Sequence, residues 1–375
     1  MRVLPQGRGD AVEVEESGAA PKLRRSEEFM STAAESSEHA PVTPYNPPPG
    51  LDAALEAVPL VAAARRPAKI GYLTNYSFHI WYQIVIEVMK RRGKQYGIEM
   101  EVLDAELSVE RQIEQARELA ERVDVLVLTP ANTTGLEEVL AIAEAADTPV
   151  VVEANPVDGM KTMVAICDYD AGFDLGVWVG NNVRNEDGSP LRILDVGLPW
   201  LRPCLLRSEG FVEGVRSIQP DAIVTASING EATPSIARKI AAETLAEKGD
   251  VDVIFAMDDE TAQGAYQGYL DAGFDADTVT IAGFGLSGEH EKDWLMRREA
   301  LKVSQGMFPE YVGMKCVDGA VKIYDDQSVS ERDETPTVSL TADNLEEYYP
   351  KKDGVWTPDL SAIAAIPTKG SCTKV

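Results

Sequence analysis

The stretch Lys69–Asp104, KIGYLTNYSFHIWYQIVIEVMKRRGKQYGIEMEVLD, combines the patterns of a strand, a helix and a second strand. The apolar run Ile70–Leu73 predicts a buried strand, and apolar residues at helical spacing after Trp81 predict a helix that ends at Gly97. Alternating apolar and acidic residues in 98–102 predict the second strand. A β-α-β unit of this kind has parallel strands and a right-handed connection.

The same alternation continues through Val123–Leu128 and Val150–Val152, and a second series begins near Val164. Further strands are predicted at 191–196, 223–226, 253–257 and 279–282, with helices between them. Two such series in tandem predict an α/β protein with two similar doubly wound domains. Their parallel sheets would face each other across a ligand cleft.

Length and charge narrow the possible functions. A chain of 375 residues can form two domains of ordinary size with additional tails. Acidic residues outnumber basic ones by 62 to 35, and a formal charge of −27 argues against nucleic acid or an anionic membrane as partner. No apolar stretch reaches transmembrane length. Residues 1–67 show no signal-peptide pattern and are predicted to be a disordered or loosely attached extension.

The four cysteines lie far apart in the sequence and form no metal-binding motif. They are Cys167, Cys204, Cys316 and Cys372. Their spacing does not reveal a pairing, so free and mostly buried thiols are expected.

A glycine motif raises a different possibility. Gly283–Gly288 reads GFGLSG, which matches the G-x-G-x-x-G pattern that lets a pyrophosphate approach a helix N-terminus. The pattern normally opens the first β-α turn of its domain, whereas this copy follows many strands, so an NAD(P)-dependent oxidoreductase is a remote alternative. No nucleophile elbow, zinc-binding H-E-x-x-H or P-loop lysine occurs, and we expect neither catalysis, a cofactor nor a metal.

Trp81 and Tyr82 stand near the carboxyl end of the first predicted strand, where open α/β sheets hold ligands. Flat aromatic rings suit the apolar face of a sugar or polyol ring. Plain packing at the start of the helix explains the pair equally well. His79, in the same loop, is a candidate ligand group or a surface histidine.

Five segments of this chain, in order, resemble type I periplasmic binding proteins, above all the ribose-binding and related sugar-binding components of ABC transporters. They are Trp81–Tyr82, Thr129–Pro130, Val253–Ala265, Gly283–Phe284 and Thr341–Tyr349. The resemblance runs from Lys69 to about Pro350. It implies capture of a sugar or polyol by hinge closure, an ABC transporter permease as partner, and a location in the periplasm or cell envelope.

The resemblance also implies domain boundaries. The first ligand-binding domain would comprise residues 69–165 plus 308–338, and the second 166–307 plus 339–350, followed by a tail at 351–375. An alternative is a sugar-sensing protein of the same fold, acting as a cytoplasmic regulator or receptor partner. It would lack a DNA-binding domain, because residues 1–67 contain no basic recognition helix.

The ligand-binding residues implied by the resemblance follow the strands of both domains. They are Thr74, Asn75, His79, Trp81, Tyr82, Glu153, Asn155, Arg202, Arg207, Glu231, Asp258, Gly285, Gln305 and Met307. Asp258 replaces an asparagine of the ribose binders, Gly285 replaces an aspartate, and Met307 replaces a glutamine, although Gln305 is close. Ribose is therefore not carried over as the ligand, since hydrogen-bonding sites discriminate strongly.

Two arginines also have a structural interpretation. Pairing of Arg202 or Arg207 with Glu209 or Glu213 at the surface is rated slightly above contact with the ligand.

The run Asp258–Glu260 precedes a predicted helix. Asp259 and Glu260 are expected to serve only as first-turn acids, which the helix dipole favours, while Asp258 faces the cleft. A carboxylate accepts hydrogen bonds and donates none, so the opposing ligand group must be a hydroxyl or a cationic nitrogen. A neutral polyhydroxy ligand is favoured, because the aromatic pair needs only a ring face.

Overall fold

The computed structural model describes residues 44–374, and the predicted disorder of residues 1–43 lies outside the described residues. In chain order, the strands are β1 (Lys69–Thr74), β2 (Glu99–Asp104), β3 (Val125–Leu128), β4 (Val150–Glu153), β5 (Met163–Ala165), β6 (Arg192–Gly197), β7 (Ile223–Asn229), β8 (Val253–Ala256), β9 (Thr280–Gly285), β10 (Leu301–Gly306), β11 (Arg332–Glu334), β12 (Val338–Leu340), β13 (Lys351–Lys352) and β14 (Val355–Trp356).

Helices connect most of these strands. In chain order, they are α1 (Leu51–Glu56), α2 (Ile80–Tyr96), α3 (Val109–Ala120), α4 (Glu137–Ala145), α5 (Asp168–Asn182), α6 (Arg202–Ile218), α7 (Pro234–Lys248), α8 (Asp259–Asp271), α9 (Glu289–Met296), α10 (Pro309–Tyr324), α11 (Leu345–Tyr348) and α12 (Leu360–Ala364). Within the described part of the chain, none has both the length and the apolar character needed to cross a bilayer.

Two six-stranded sheets organise the fold, in the orders β11-β5-β4-β3-β1-β2 and β12-β10-β9-β8-β6-β7. The paired strands are parallel, except that β12 runs antiparallel to β10. We call the first sheet with its helices the first lobe and the second sheet with its helices the second lobe. The predicted fold class, two similar α/β units with mainly parallel sheets, is confirmed.

The chain passes from one lobe to the other three times. The first passage joins β5 to α5, the second joins β10 to α10, and the third joins β11 to β12. Helix α10 belongs to the first lobe, because it packs against α2 and the first sheet. These three passages are the chain connections between the two lobes.

Helix α2 shows how the sequence pattern becomes packing. Val85 and Met89 are completely buried in the apolar core of the first lobe, whereas Ile84 and Val88 face a second apolar cluster. Gly97 ends the helix with a φ of 76°, in the left-handed region expected for a glycine at this position. Helix α2 therefore packs against two different apolar clusters.

Residues 44–67 differ from the predicted disordered extension, because they are ordered against the first lobe. Helix α1 buries Leu55 completely. Arg92 is also completely buried, pairs with Asp318 at 2.9 Å, and donates to backbone carbonyl oxygens in 55–59. A buried guanidinium requires several acceptors, and this segment supplies them without needing a periodic sequence.

The cysteine expectation was wrong for two of the four residues. Cys167 and Cys372 form a disulfide, with their Cα atoms 5.2 Å apart. Cys204 and Cys316 are free and buried, as expected. The paired cysteines are 205 residues apart in sequence, so only the folded structure brings them together.

Helices α5 and α6 approach each other closely through glycines. A Cβ atom on Gly176 would overlap the carbonyl oxygen of Phe211, and one on Gly210 would overlap the carbonyl oxygen of Tyr169. Both positions need a residue without a side chain because backbone atoms occupy that space. Gly319 in α10 is different, since a Cβ there would lie 3.7 Å from Val151, an ordinary contact.

We expect Gly176→Ala to lower the free energy of unfolding by about 1–3 kcal/mol, because α5 and α6 must separate to admit the methyl group. The matched control Gly319→Ala should leave stability unchanged or raise it by roughly 0.5–1 kcal/mol, since alanine favours a helix. Urea unfolding of both variants measures the difference. Equal stability of the two variants would contradict this account of the helix contact.

Candidate ligand-binding cleft

The loop after β1 is built by short polar contacts. The Asn75 amide donates to the Tyr82 hydroxyl at 2.9 Å, and its oxygen accepts from the Tyr76 backbone N–H at 2.8 Å. The His79 side chain accepts from the Trp81 backbone N–H at 3.2 Å and so caps α2. These two hydrogen bonds fix the Asn75 side chain at the carboxyl end of β1, beside Tyr82.

The aromatic residues of this loop divide into two groups. The Tyr76 ring lies 5.0 Å from the Tyr82 ring and 4.6 Å from the Phe78 ring, measured between centroids. Trp81 instead packs against apolar residues of both lobes. Sequence analysis missed Tyr76 and Phe78 as site candidates, although four aromatic residues within 76–82 were a visible signal.

Glu153 ends β4 and is 1% exposed. Its carboxylate accepts from the Thr129 hydroxyl at 2.7 Å, and that hydroxyl also lies 2.8 Å from the Tyr72 hydroxyl. Burial raises the pKa of Glu153 to about 7, against the lowering effect of the Thr129 bond. The Glu153 carboxyl group therefore takes up a proton at a higher pH than an ordinary glutamate, and its protonated form can donate a hydrogen bond as well as accept one.

Two more candidates lie at the same end of the first sheet. Thr74, the last residue of β1, is completely buried. Asn155 is 7% exposed and follows Ala154, whose φ of 64° turns the chain sharply after β4. Their positions follow from the parallel strands, whose carboxyl ends share one edge of the sheet.

Arg207 is the central cation of the second lobe. Its Nε donates to Asp168 at 2.8 Å, and its Nη1 donates to the Met257 carbonyl oxygen at 3.1 Å. The guanidinium carbon lies 4.6 Å from the centroid of the Phe284 ring, in cation–π geometry. Burial raises the pKa of Asp168 although the guanidinium of Arg207 opposes this shift.

The favoured surface pairing of the arginines was wrong for Arg207. Its carboxylate partner lies 39 residues away, at the start of α5, whereas Glu213 and Glu209 pair with Lys374 at 2.9 and 3.6 Å. Arg202 is exposed at the start of α6. Helix periodicity explains the difference, because Arg207 and Glu209 point in different directions from one helix.

The acidic run before α8 has roles that differ from the expected ones. Asp258 caps the helix by accepting from the Thr261 backbone N–H at 2.6 Å. Asp259 is 2% exposed and accepts from the Ser304 hydroxyl at 2.8 Å and from the Leu286 backbone N–H. Asp259 is therefore more than a first-turn acid, and burial raises its pKa to about 8.

Asp259 also decides the meaning of the glycine motif. Its carboxylate receives the Leu286 N–H inside the turn after β9, and a Cβ on Gly283 would overlap this carboxylate. The Asp259 side chain thus fills the space that a pyrophosphate would need. The oxidoreductase alternative is contradicted by this geometry.

His79 and Glu260 connect the two lobes. Their nearest side-chain nitrogen and oxygen atoms, Nε2 and Oε1, are 3.5 Å apart. Burial raises the pKa of Glu260 well above its ordinary value, with Asp258 and Glu291 adding to the effect, and burial lowers the pKa of His79. The carboxyl ends of the two sheets therefore face one another across a narrow gap.

The remaining candidates surround this gap less directly. Gly285 has a φ of 117°, and a Cβ there would lie 3.6 Å from the Met307 methyl carbon. Gln305 is completely buried and accepts from the Ser339 hydroxyl at 2.8 Å, while its amide nitrogen has no partner among residues 44–374. Glu231 accepts from an amide in its own loop.

Comparison with known proteins places this architecture in a family. A sequence model of the periplasmic binding protein domain matches residues 70–328, more than half of the chain. The ribose import binding protein RbsB of Salmonella typhimurium is 20% identical over 247 residues, covering 65% of this chain and 80% of that protein. Its counterpart in Haemophilus influenzae is 23% identical over 246 residues, covering 65% and 81%.

Solved structures show the same fold. A periplasmic solute-binding protein of an ABC transporter from Actinobacillus succinogenes, with bound D-allose, is 17% identical, has a TM-score of 0.67, and covers 73% of this chain and 98% of its own. A Mycobacterium smegmatis protein in complex with β-D-fucofuranose is 23% identical, with a TM-score of 0.69 and coverages of 80% and 99%.

The Salmonella and Haemophilus relatives are named as import binding proteins and the Actinobacillus protein as a solute-binding protein, which confirms the expectation of a binding protein rather than an enzyme. The resemblance inferred from five short segments is likewise confirmed by the match over residues 70–328. The chain belongs to the periplasmic binding protein family, and within it to the ribose-binding-like type I proteins.

Proposed function

We propose that this protein captures a small polyhydroxy ligand, a sugar or polyol, and presents it to an ABC-type permease. The observation that carries this proposal is a set of buried and half-buried polar groups that both lobes contribute to one gap. Asn75 and Glu153 come from the first lobe, and the Asp168–Arg207 pair and Asp258 come from the second. Clustered donors and acceptors beside aromatic rings suit a ligand with several hydroxyls.

Closure of the two lobes would be the working step. Ligand contacts to both lobes stabilise the closed arrangement relative to the open one, and the three passages act as hinges. The contact between His79 and Glu260 spans the gap and would break when the lobes separate. A permease would then distinguish the closed, loaded protein from the open one.

The disulfide supports a location outside the cytoplasm. Disulfides persist in oxidising compartments and are rare in the reducing cytoplasm. Cys167–Cys372 therefore favours the periplasm or cell envelope for this chain.

A thermal-shift screen against D-ribose, D-allose, L-arabinose, myo-inositol and small amines tests the proposal. A true ligand at one hundred times its Kd should stabilise the protein by about 2.7 kcal/mol. Tyr82→Ala should weaken binding at least about tenfold because it removes a ring and a hydroxyl, whereas the matched control Leu60→Ala, at an exposed site, should not. A response to amines alone, or to none of the polyhydroxy compounds, would refute a sugar or polyol ligand.

Glu153 predicts a pH dependence of stability. Its folded pKa of about 7 lies above its ordinary value of 4.5, so the folded state binds more protons between these values. Stability from this group is consequently lost as pH rises from about 4.5 to 7, by about 3 kcal/mol at most. Glu153→Gln should remove that part of the slope, which urea unfolding at pH 5 and pH 8 measures. An identical slope in both proteins would show that Glu153 titrates normally.

Asp258→Asn separates a neutral ligand from a cationic one. Asparagine is an equally good helix cap, so the start of α8 should persist. For a neutral ligand found in the screen, titration calorimetry should show a loss on the order of 1 kcal/mol. For a cationic ligand, the loss should be larger and should shrink as salt rises. Abolished binding of a neutral sugar would contradict the assigned role.

A further inference from the structure

Residues 369–373, close to the end of the described chain, form a strap that touches both lobes. On the first lobe, the backbone N–H groups of Lys369 and Gly370 donate to the Glu334 carboxylate at 3.1 and 2.7 Å. Glu334 ends β11, the edge strand that pairs with β5. The strap is therefore fixed to the first sheet beside two of the three passages between the lobes.

On the second lobe, the strap is fixed to the start of α5. The Thr373 backbone N–H and hydroxyl donate to Asp170 at 2.8 and 2.5 Å. Lys369 adds ion pairs to Asp170 at 3.6 Å and to Asp174 at 3.0 Å. These are charge-assisted contacts to a carboxylate, Asp170, that is only 6% exposed.

The disulfide joins the strap to the passage itself. Cys372 bonds to Cys167, which lies between β5 and α5. The next residue, Asp168, pairs with Arg207 at 2.8 Å in the cleft. The disulfide thus attaches the strap to Cys167, the residue directly before Asp168 of the Asp168–Arg207 ion pair.

We propose that the strap is a positioning element of the cleft, which holds Asp168 against Arg207 and limits the separation of the two lobes. This inference rests on the proposed function, because it concerns the same cleft. Backbone passages alone permit rotation, whereas a strap bonded to both lobes adds a restraint against opening. Apparent affinity falls with the fraction of molecules in the binding-competent form, so a strap that favours closure strengthens binding.

Two natural thiols report on the strap without any sugar. Cys204 on α6 is 5% exposed, packs with Leu198 and Met257 of the second lobe, and lies near Tyr76 and Tyr82 of the first lobe. Cys316 on α10 is completely buried in the core of the first lobe. We therefore expect opening of the gap to expose Cys204, and unfolding of the first lobe to be needed to expose Cys316.

The test uses the double variant Cys167→Ser, Cys372→Ser, which removes the disulfide and adds no thiol. Labelling by N-ethylmaleimide, located by mass spectrometry, should be at least about tenfold faster at Cys204, a shift of roughly 1.4 kcal/mol in the opening equilibrium. Labelling at Cys316 should keep its wild-type rate. An unchanged rate at Cys204, or equal acceleration at both thiols, would overturn the proposal and leave the disulfide as general stabilisation only.

A second variant covers the case in which the double variant does not fold. Glu334→Ala keeps the disulfide and removes the strap's acceptor on the first lobe, so Cys204 should again react faster than in the wild type. The matched control is Lys374→Ala, because Lys374 pairs only with Glu209 and Glu213 of the second lobe among the ion pairs described. Equal rates in Glu334→Ala and this control would also overturn the proposal.

The labelling experiment tests the strap and the ligand screen tests the proposed function, so either proposal can be refuted without the other. Faster labelling of Cys204 with no polyhydroxy ligand would refute the proposed function and retain the strap. A sugar that binds wild type and double variant equally, with unchanged labelling, would refute the strap and retain the proposed function.

Discussion

The three passages of the chain between the two sheets constrain the rest of the molecule. Because of them, each sheet is completed by a strand that lies beyond a passage, β11 in the first and β12 in the second. The carboxyl ends of the parallel strands then face a common gap, where loops from distant parts of the sequence meet. Glu153 belongs to the first lobe and Arg207 to the second, so the candidate site draws on both lobes.

The charged groups around that gap are shielded from water, and this desolvation determines how each of them is stabilised. Arg207 is neutralised by Asp168 and by a backbone carbonyl, which offsets the cost of burying a guanidinium. Glu153 and Asp259 form no ion pair within residues 44–374, and burial raises the pKa of each. The gap therefore contains two kinds of polar group. One is the permanently charged guanidinium of Arg207, and the other is the pair of carboxyl groups whose raised pKa values lie near neutral pH.

Strand and helix periods are local properties, and the sequence predicted them well. The parallel sheets and the end of α2 at Gly97 followed directly from residues a few positions apart. The candidate site was harder to predict from the sequence, because its contacts join residues that are far apart in the chain. Arg207 finds its partner across 39 residues, Asp259 bonds to Ser304 across 45, and Cys167 pairs across 205. A local sequence pattern cannot reveal partners that are separated by so many residues.

The order of assembly follows from where the parts of each lobe lie in the chain. Strands β6 to β10 are consecutive, so the second sheet is nearly complete once β10 has left the ribosome. The first sheet must wait for α10 and β11, and α1 packs against α12, close to the C-terminus. Domains fold as units during synthesis when their segments are contiguous. The lobe that is translated first is therefore the lobe that is finished last.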